Sequence, residues 1–362
     1  MDFLKRLLEA AAPSGFEARA ARVWADEARG FSSVRFDDYG NVFAGIGAER
    51  GLSVMLSGHL DEIGLMVSHV GDKGFVSVKG IGGWDAQVLP GQRVRLLAKG
   101  GDLIGVVGRK AVHLMKGDDR DKAVKLEDVW LDFGLDSDEA KQKIRVGDVG
   151  VLEQPTLDFG NGRFAAKALD NRLGAFIVLE ALRRLSEGTC LHAVTAVGAA
   201  QEEIGAFGAK VAAFELAPKL AIIVDVTHET TQPGVDEKDV GVTPFGSGAN
   251  LCFSALTHPK LNDLMLAVAQ KHGIKTSLSA YPRFTGTDGD TIAVSRAGIP
   301  CVVLSVPLRY MHSPSEMVDL NDAQAVIDLI VAFCLELPGD IDLSRCEALF
   351  TKRPRKADAN LS

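Results

Sequence analysis

Four short runs of this chain are apolar at nearly every residue: Leu52-Ser53-Val54-Met55-Leu56, residues 191–198, Leu220-Ala221-Ile222-Ile223-Val224 and residues 301–306. A strand with one wet face alternates apolar and polar side chains, whereas a strand covered on both faces does not. These runs therefore read as central strands buried under helices. Helix-period stretches follow them at 172–186, near 206–215, at 259–272 and at 321–336. The alternation predicts an α/β fold, a mainly parallel or mixed central sheet covered by helices. In such sheets functional groups gather beyond the carboxyl ends of the strands.

The rest of the chain divides around that core. Residues 2–10 and 16–29 carry helical periodicity, separated by Pro13-Ser14-Gly15, and short strands at 34–36 and 41–44 flank the turn-prone Asp38-Tyr39-Gly40. Between residues 68 and 164 the texture changes to short Val-rich strands punctuated by glycine, with one short helical stretch at 137–143. That spacing predicts a smaller all-β barrel inserted into the main domain. The expected organisation is a main domain of residues 1–67 and 165–350, the insertion at 68–164, and a polar tail at 351–362.

Charge and cysteine usage exclude several roles. A net charge of −8 over 362 residues disfavours nucleic acid, whose phosphates require clustered Lys and Arg. The one basic run, Lys352-Arg353-Pro354-Arg355-Lys356, reads as a solvated tail. Cys190, Cys252, Cys301, Cys334 and Cys346 are odd in number, widely spaced and without a C-x-x-C pair, as expected of reduced thiols. The N-terminus lacks the apolar core of a signal peptide, and no run approaches the roughly 18 apolar residues of a membrane span. A cytoplasmic protein without membrane or nucleic-acid partners is the expectation.

The candidate chemistry lies at strand ends. After the first central strand comes Ser57-Gly58-His59-Leu60-Asp61-Glu62-Ile63-Gly64. Residues two apart in extended chain share a side, so Asp61 can orient the His59 ring, as carboxylates do for metal-ligating histidines. Taken alone, a His in a turn is more often a surface residue. Asp170 and Asn171 precede an apolar helix, where capping competes with a role for Asp170 in bridging cations. Gln201-Glu202-Glu203-Ile204-Gly205 places adjacent carboxylates after a buried strand, a tension that cations relieve. One of the two could coordinate while the other serves as general base. Asp225 closes the Ile222-Ile223-Val224 run, and His312 follows the strand at 301–306. Two histidines and three carboxylates at strand ends make a donor set suited to zinc, cobalt or manganese.

The chain has no G-x-S-x-G elbow, no phosphate loop and no H-E-x-x-H helix. Gly80-Ile81-Gly82-Gly83-Trp84 reads as a bulged hairpin, and Gly286-Thr287-Asp288-Gly289-Asp290-Thr291 as a turn facing substrate, with a third cation site as the alternative.

These ordered motifs, together with Gly286-Thr287-Asp288 and Arg309-Tyr310-Met311-His312-Ser313, resemble those of the glutamyl or tetrahedral aminopeptidases, metallopeptidase family forty-two, over nearly the whole chain. The resemblance implies a zinc-peptidase-like fold and two divalent metal ions (Zn or Co, with Mn as a third option). It implies that His59 and Asp225 bind one ion, Glu203 and His312 the other, and Asp170 both. Glu202 would be the catalytic base and Asp61 the residue orienting His59. The implied substrates are peptides with a free N-terminus. The inserted domain would make subunit contacts, in homo-oligomers ranging from dimers to tetrahedral dodecamers. The least family-like stretch is 228–250, where Ala249 follows Gly248 in place of the usual Gly-Pro pair. A metal-dependent deacylase or carboxypeptidase, a glycoside hydrolase using Glu202 and Glu203, and a non-enzymatic metal-binding scaffold are the alternative readings.

Overall fold

A computed structural model of the chain describes residues 1–47 and 51–345. Cys346 and the basic run at 352–356 lie outside the described residues. The strands in chain order are β1 (Ser33–Phe36), β2 (Val42–Ile46), β3 (Ser53–His59), β4 (Gly64–Val70), β5 (Val76–Ile81), β6 (Arg93–Ala98), β7 (Gly101–Arg109), β8 (Val129–Asp132), β9 (Val149–Leu152), β10 (Leu157–Gly160), β11 (Arg163–Ala166), β12 (Ala193–Ala199), β13 (Leu220–His228), β14 (Ala249–Ser254), β15 (Thr276–Tyr281), β16 (Cys301–Arg309) and β17 (Glu316–Asp319). The helices are α1 (Asp2–Glu9), α2 (Ala18–Ala28), α3 (Ser137–Lys143), α4 (Leu169–Ser186), α5 (Phe207–Leu216), α6 (Glu237–Val240), α7 (Pro259–His272), α8 (Gly289–Ile292) and α9 (Leu320–Glu336).

The expected α/β architecture is present. Eleven strands form one mixed sheet in the order β1-β2-β12-β3-β13-β16-β17-β11-β10, with β14 joined to β16 and β15 to β14. At its centre β12, β3, β13 and β16 run parallel. Their uniform apolarity is explained by two covered faces. Val54 and Leu56 of β3, Ile222 and Val224 of β13, and Val302 and Leu304 of β16 join one core. The alternate residues Met55, Ala221, Ile223, Cys301 and Val303 join a second core on the opposite face. Each fully buried aliphatic side chain contributes roughly 1.5–3 kcal/mol, enough to fix the register of every central strand.

The insertion is a closed barrel in the order β4-β5-β8-β7-β6-β9. Leu65, Val67, Val76, Val94, Leu96, Val107 and Leu131 are among the buried residues of its own core. The hairpin β10–β11, placed by its sequence with the insertion, instead completes the edge of the large sheet through β17. Phe164 and Ala166 explain this: both are buried in the main core, so pairing there covers apolar surface that the barrel does not reach.

Helix α4 lies directly beneath the parallel strands. A Cβ on Gly58 would come within 2.5 Å of the Gly174 carbonyl carbon, and one on Gly174 within 2.7 Å of the Val224 carbonyl oxygen. These two glycines let the helix start touch β3 and β13 backbone to backbone, which brings Asp170 to the carboxyl end of the sheet.

Candidate metal centre

The parallel register brings the first ligands level. Ala199 of β12 is aligned with His59, the last residue of β3, so Glu202 and Glu203 emerge just beyond it. Ile223 is aligned with Ser57, so Asp225, two residues on, is level with His59. Asp225 does not close its strand as its sequence suggests. Beyond β3, strand β13 stays paired to β16 through His228, with Asp225 opposite Ser305.

His59 is 1% exposed, and its Nε2 lies 3.4 Å from Asp170 Oδ1 and 3.7 Å from Glu202 Oε2. Its Nδ1 lies 3.3 Å from Asp61 Oδ1 and 3.2 Å from the Asp61 carbonyl oxygen. The other oxygen of Asp170 is 3.5 Å from His312 Nε2, which is also 3.3 Å from Glu203 Oε2. The two oxygens of Asp170 thus face two different histidines, the disposition of a bridging carboxylate. Ligand atoms of His59, Asp170 and Asp225 lie within 4.8 Å of one another, as do those of Asp170, Glu203 and His312. All five expected ligands converge, in two groups that share Asp170.

Capping does not explain Asp170. The helix start makes no side-chain cap at Ala168, and Asn171 does the local work instead: its Oδ1 accepts from Gly174 N–H and its Nδ2 donates to the Val224 carbonyl. Asp61, fully buried, does more than orient His59. It also accepts hydrogen bonds from Ser14 Oγ at 2.6 Å and from the backbone N–H groups of Glu202 and Glu203, both at 3.1 Å. It therefore fixes the His59 ring and the Glu pair together.

Three features escape sequence reasoning. Gly80–Trp84 is not a bulged hairpin: Gly80 and Ile81 pair regularly in β5, and the chain then turns toward the centre, where the Gly83 carbonyl is 2.8 Å from His312 Nδ1. A Cβ at Gly82 would lie 3.4 Å from Glu203, so the glycines mark a close approach. Asp288 is buried: it is 1% exposed, takes a 3.3 Å hydrogen bond from Ser57 Oγ, and its Oδ1 has no partner. The third is Glu316, buried beside Asp170 and His312.

The electrostatics follow from crowding these groups out of water. Burial, opposed by His59 and reinforced by Asp225, Asp288 and Glu203, pushes the Glu202 carboxyl up to about 10. Burial likewise raises Glu203, raises Asp225 well above the usual carboxylate range, and lifts Asp288 to about 7. Asp170 and Glu203 raise His312 to about 11. Despite the opposing effect of burial, Asp170 and Asp61 hold His59 well above its ordinary value. Positive charge relieves such crowding of buried carboxylates. The charges facing these carboxylates belong to His59 and His312, themselves candidate ligands. This donor set of imidazole nitrogens and carboxylate oxygens fits divalent cations.

Comparison with known proteins covers most of the chain. The family model described as "M42 glutamyl aminopeptidase" matches residues 40–329. The lysyl aminopeptidase of Pyrococcus furiosus is 33% identical over 93% of this chain and 97% of its own length. The crystal structure of a TET aminopeptidase from a marine sediment archaeon, Thaumarchaeota archaeon SCGC AB-539-E09, superposes with a TM-score of 0.89 at 31% identity, covering 93% of this chain and 96% of that one. The TET1 peptidase of Pyrococcus horikoshii, which can assemble into a tetrahedron or a large octahedral shell, gives a TM-score of 0.84 at 26% identity over 93% of this chain and 99% of its own.

Proposed function

The chain belongs to the M42 glutamyl aminopeptidase family, and from that premise we propose that it is a dinuclear metallo-aminopeptidase releasing N-terminal residues from peptides. The observation that carries the reading is the pair of ligand groups sharing Asp170. In this reading His59 and Asp225 hold one ion, Glu203 and His312 hold the other, and Asp170 holds both. Two divalent cations, zinc, cobalt or manganese by the chemistry of the donors, would supply Lewis acidity for activating a water and polarising the scissile carbonyl.

Glu202 is the base. It follows Gln201, whose backbone φ of +58° turns the chain so that consecutive carboxylates diverge, Glu202 toward His59 and Glu203 toward His312. Glu202 keeps 15% of its side-chain surface exposed, so it can reach both the site and an entering substrate. It takes a proton from the attacking water and returns it to the leaving amine. Asp61 keeps the His59 ring and the Glu202 backbone in fixed relation through this exchange.

The substrate class is a peptide with a free N-terminus. The barrel is the subunit-contact module of a homo-oligomer, from a dimer to a tetrahedral dodecamer. Exposed apolar residues on it support that role, including Phe75, Ile104, Val106, Val112 and Leu114. We read the compartment as cytoplasm. The free thiols Cys190, Cys252, Cys301 and Cys334 support this, and no helix among the described residues is long and apolar enough to cross a membrane.

An assay of metal-loaded protein on aminoacyl p-nitroanilides, N-acetylated peptides and a soluble polysaccharide tests the reading. Hydrolysis of the anilides alone, abolished by chelator and restored by zinc, cobalt or manganese, is expected. Cleavage of acetylated peptides would favour a deacylase or carboxypeptidase, cleavage of polysaccharide a glycosidase, and no hydrolysis at all a scaffold.

A further inference from the structure

Glu316 begins β17, directly across from Ala166 of β11, and its side chain is 3% exposed. Its two oxygens accept from two backbone groups that are far apart in sequence. Oε1 takes the His312 N–H at 2.9 Å and Oε2 takes the Asp170 N–H at 3.0 Å. One carboxylate thus links the backbone of the shared ligand to that of a ligand found in only one of the two groups.

Both linked segments have unusual backbone conformations. Tyr310 and His312 have φ of +59° and +58°, and Ala168, just before Asp170, has φ of +57°. Left-handed conformations at non-glycine residues persist only where surrounding contacts over-determine them. In the loop between β16 and β17, Pro314 is buried and Met311 packs on the main core, whereas Tyr310 and Ser315 are exposed and His312 and Ser313 are half-buried. Glu316 adds a buried acceptor that fixes the His312 backbone, as the Gly83 carbonyl meets the His312 ring.

We propose that Glu316 is a positioning residue that sets the separation of Asp170 and His312, and through it the affinity of the Glu203–His312 side of the centre. The proposal rests on the dinuclear reading above. Replacing one carboxylate oxygen by an amide NH2 sets a donor against one of the two N–H groups. Shortening the side chain keeps the charge but cannot span both groups. Groups that orient metal ligands typically change affinity by about 10–100-fold when altered.

The test is calorimetric titration of chelator-stripped protein with zinc, alongside elemental analysis and circular dichroism. Wild-type protein is expected to bind two ions per chain. Glu316→Gln and Glu316→Asp are each expected to retain one tight ion while the other weakens by about 10–100-fold, with native circular dichroism. Two ions bound by both variants as in the wild type would overturn the proposal. So would wild-type behaviour of Glu316→Asp alone, which would assign the effect to charge. Loss of the native spectrum in both variants would overturn it too, making Glu316 a residue of the fold. A wild-type chain that binds fewer than two ions would instead count against the dinuclear reading itself.

Discussion

At the scale of single residues, the centre is built from groups whose environments push their protonation in opposite directions. Asp170 stays well below the usual carboxylate range: although burial opposes it, His312 and His59 face its two oxygens. Glu202, buried and flanked by other carboxylates, is raised instead. A residue poised this way serves as a proton carrier once cations supply positive charge. Glu202→Gln keeps size and hydrogen-bonding shape but cannot accept the proton. It should retain metal by elemental analysis and lose about 10²–10⁴-fold in kcat, with KM little changed. Near-normal turnover would refute the assignment. Asp170→Asn removes a charge from both groups at once and should leave the protein without stoichiometric metal under conditions that saturate the wild type. Retention of two ions would show that Asp170 is not shared.

At the scale of elements, the N-terminal helices are bound to the centre by buried charge. Arg172, with no exposed surface, donates to the carbonyls of Leu60, Leu7, Leu8, Ala10 and Ala12 and to Glu62 Oε1 at 2.8 Å. Lys167 completes the cluster at 2.7 Å from Glu62. Surface pairs such as Arg6–Asp2 contribute about 0–1 kcal/mol, whereas breaking a buried pair costs about 3–5 kcal/mol because its partners are left unmatched. Arg172→Met should therefore lower stability by several kcal/mol in urea unfolding, and a loss under about 1 kcal/mol would contradict this.

Glu17, at the start of α2, accepts from Gly15 N–H and from Gln201 N–H, which connects this helix to the segment carrying Glu202. Burial and the neighbouring Asp61 lift its carboxyl to about 7 from an ordinary value of 4.5. The folded chain thus binds this proton more tightly than the unfolded one. The stabilisation is complete below about pH 4.5 and is lost as pH rises toward 7. Glu17→Gln keeps the accepting oxygen without the charge. Above pH 7 it should exceed the wild type by on the order of 1–3 kcal/mol, and an unchanged pH profile of urea midpoints would refute the placement of that charge.

At the scale of the whole molecule, the centre draws on distant parts of the chain: α1 and α2 through Ser14 and Glu17, the barrel through Gly83, and the sheet through β3, β12, β13 and β16. Ions held there would stabilise the assembled structure over its separated parts. Saturating metal at about 1,000 times Kd should add about 4 kcal/mol to unfolding, seen as a rise in Tm that chelator reverses. A Tm indifferent to chelator would mean that the cluster does not hold its ions tightly. The exposed apolar residues on the barrel belong to the same scale. Light scattering should report a mass that is a multiple of 38.6 kDa, and a monomer at micromolar concentration would remove the barrel's proposed role.

Much of this molecule is legible in the sequence, because hydrophobic burial and strand-end chemistry leave local marks. The uniformly apolar runs show that the central strands are covered on both faces. The residue types that follow them, His59, Glu202, Glu203 and His312, show where a donor set could assemble. Periodicity also places α4, α7 and α9 nearly to the residue. The tertiary structure decided which carboxylate each histidine faces, and that Asp170 faces both histidines where Asn171 makes the local hydrogen bonds. It extended β13 beyond Asp225, buried Asp288, and brought Gly83 to His312 and Glu316 to His312 and Asp170. The physical reason is common to all of these. They depend on side chains meeting backbone groups, or strands meeting strands, across long sequence separations. A backbone N–H or carbonyl is present at every position, so no motif records which one a buried carboxylate will meet.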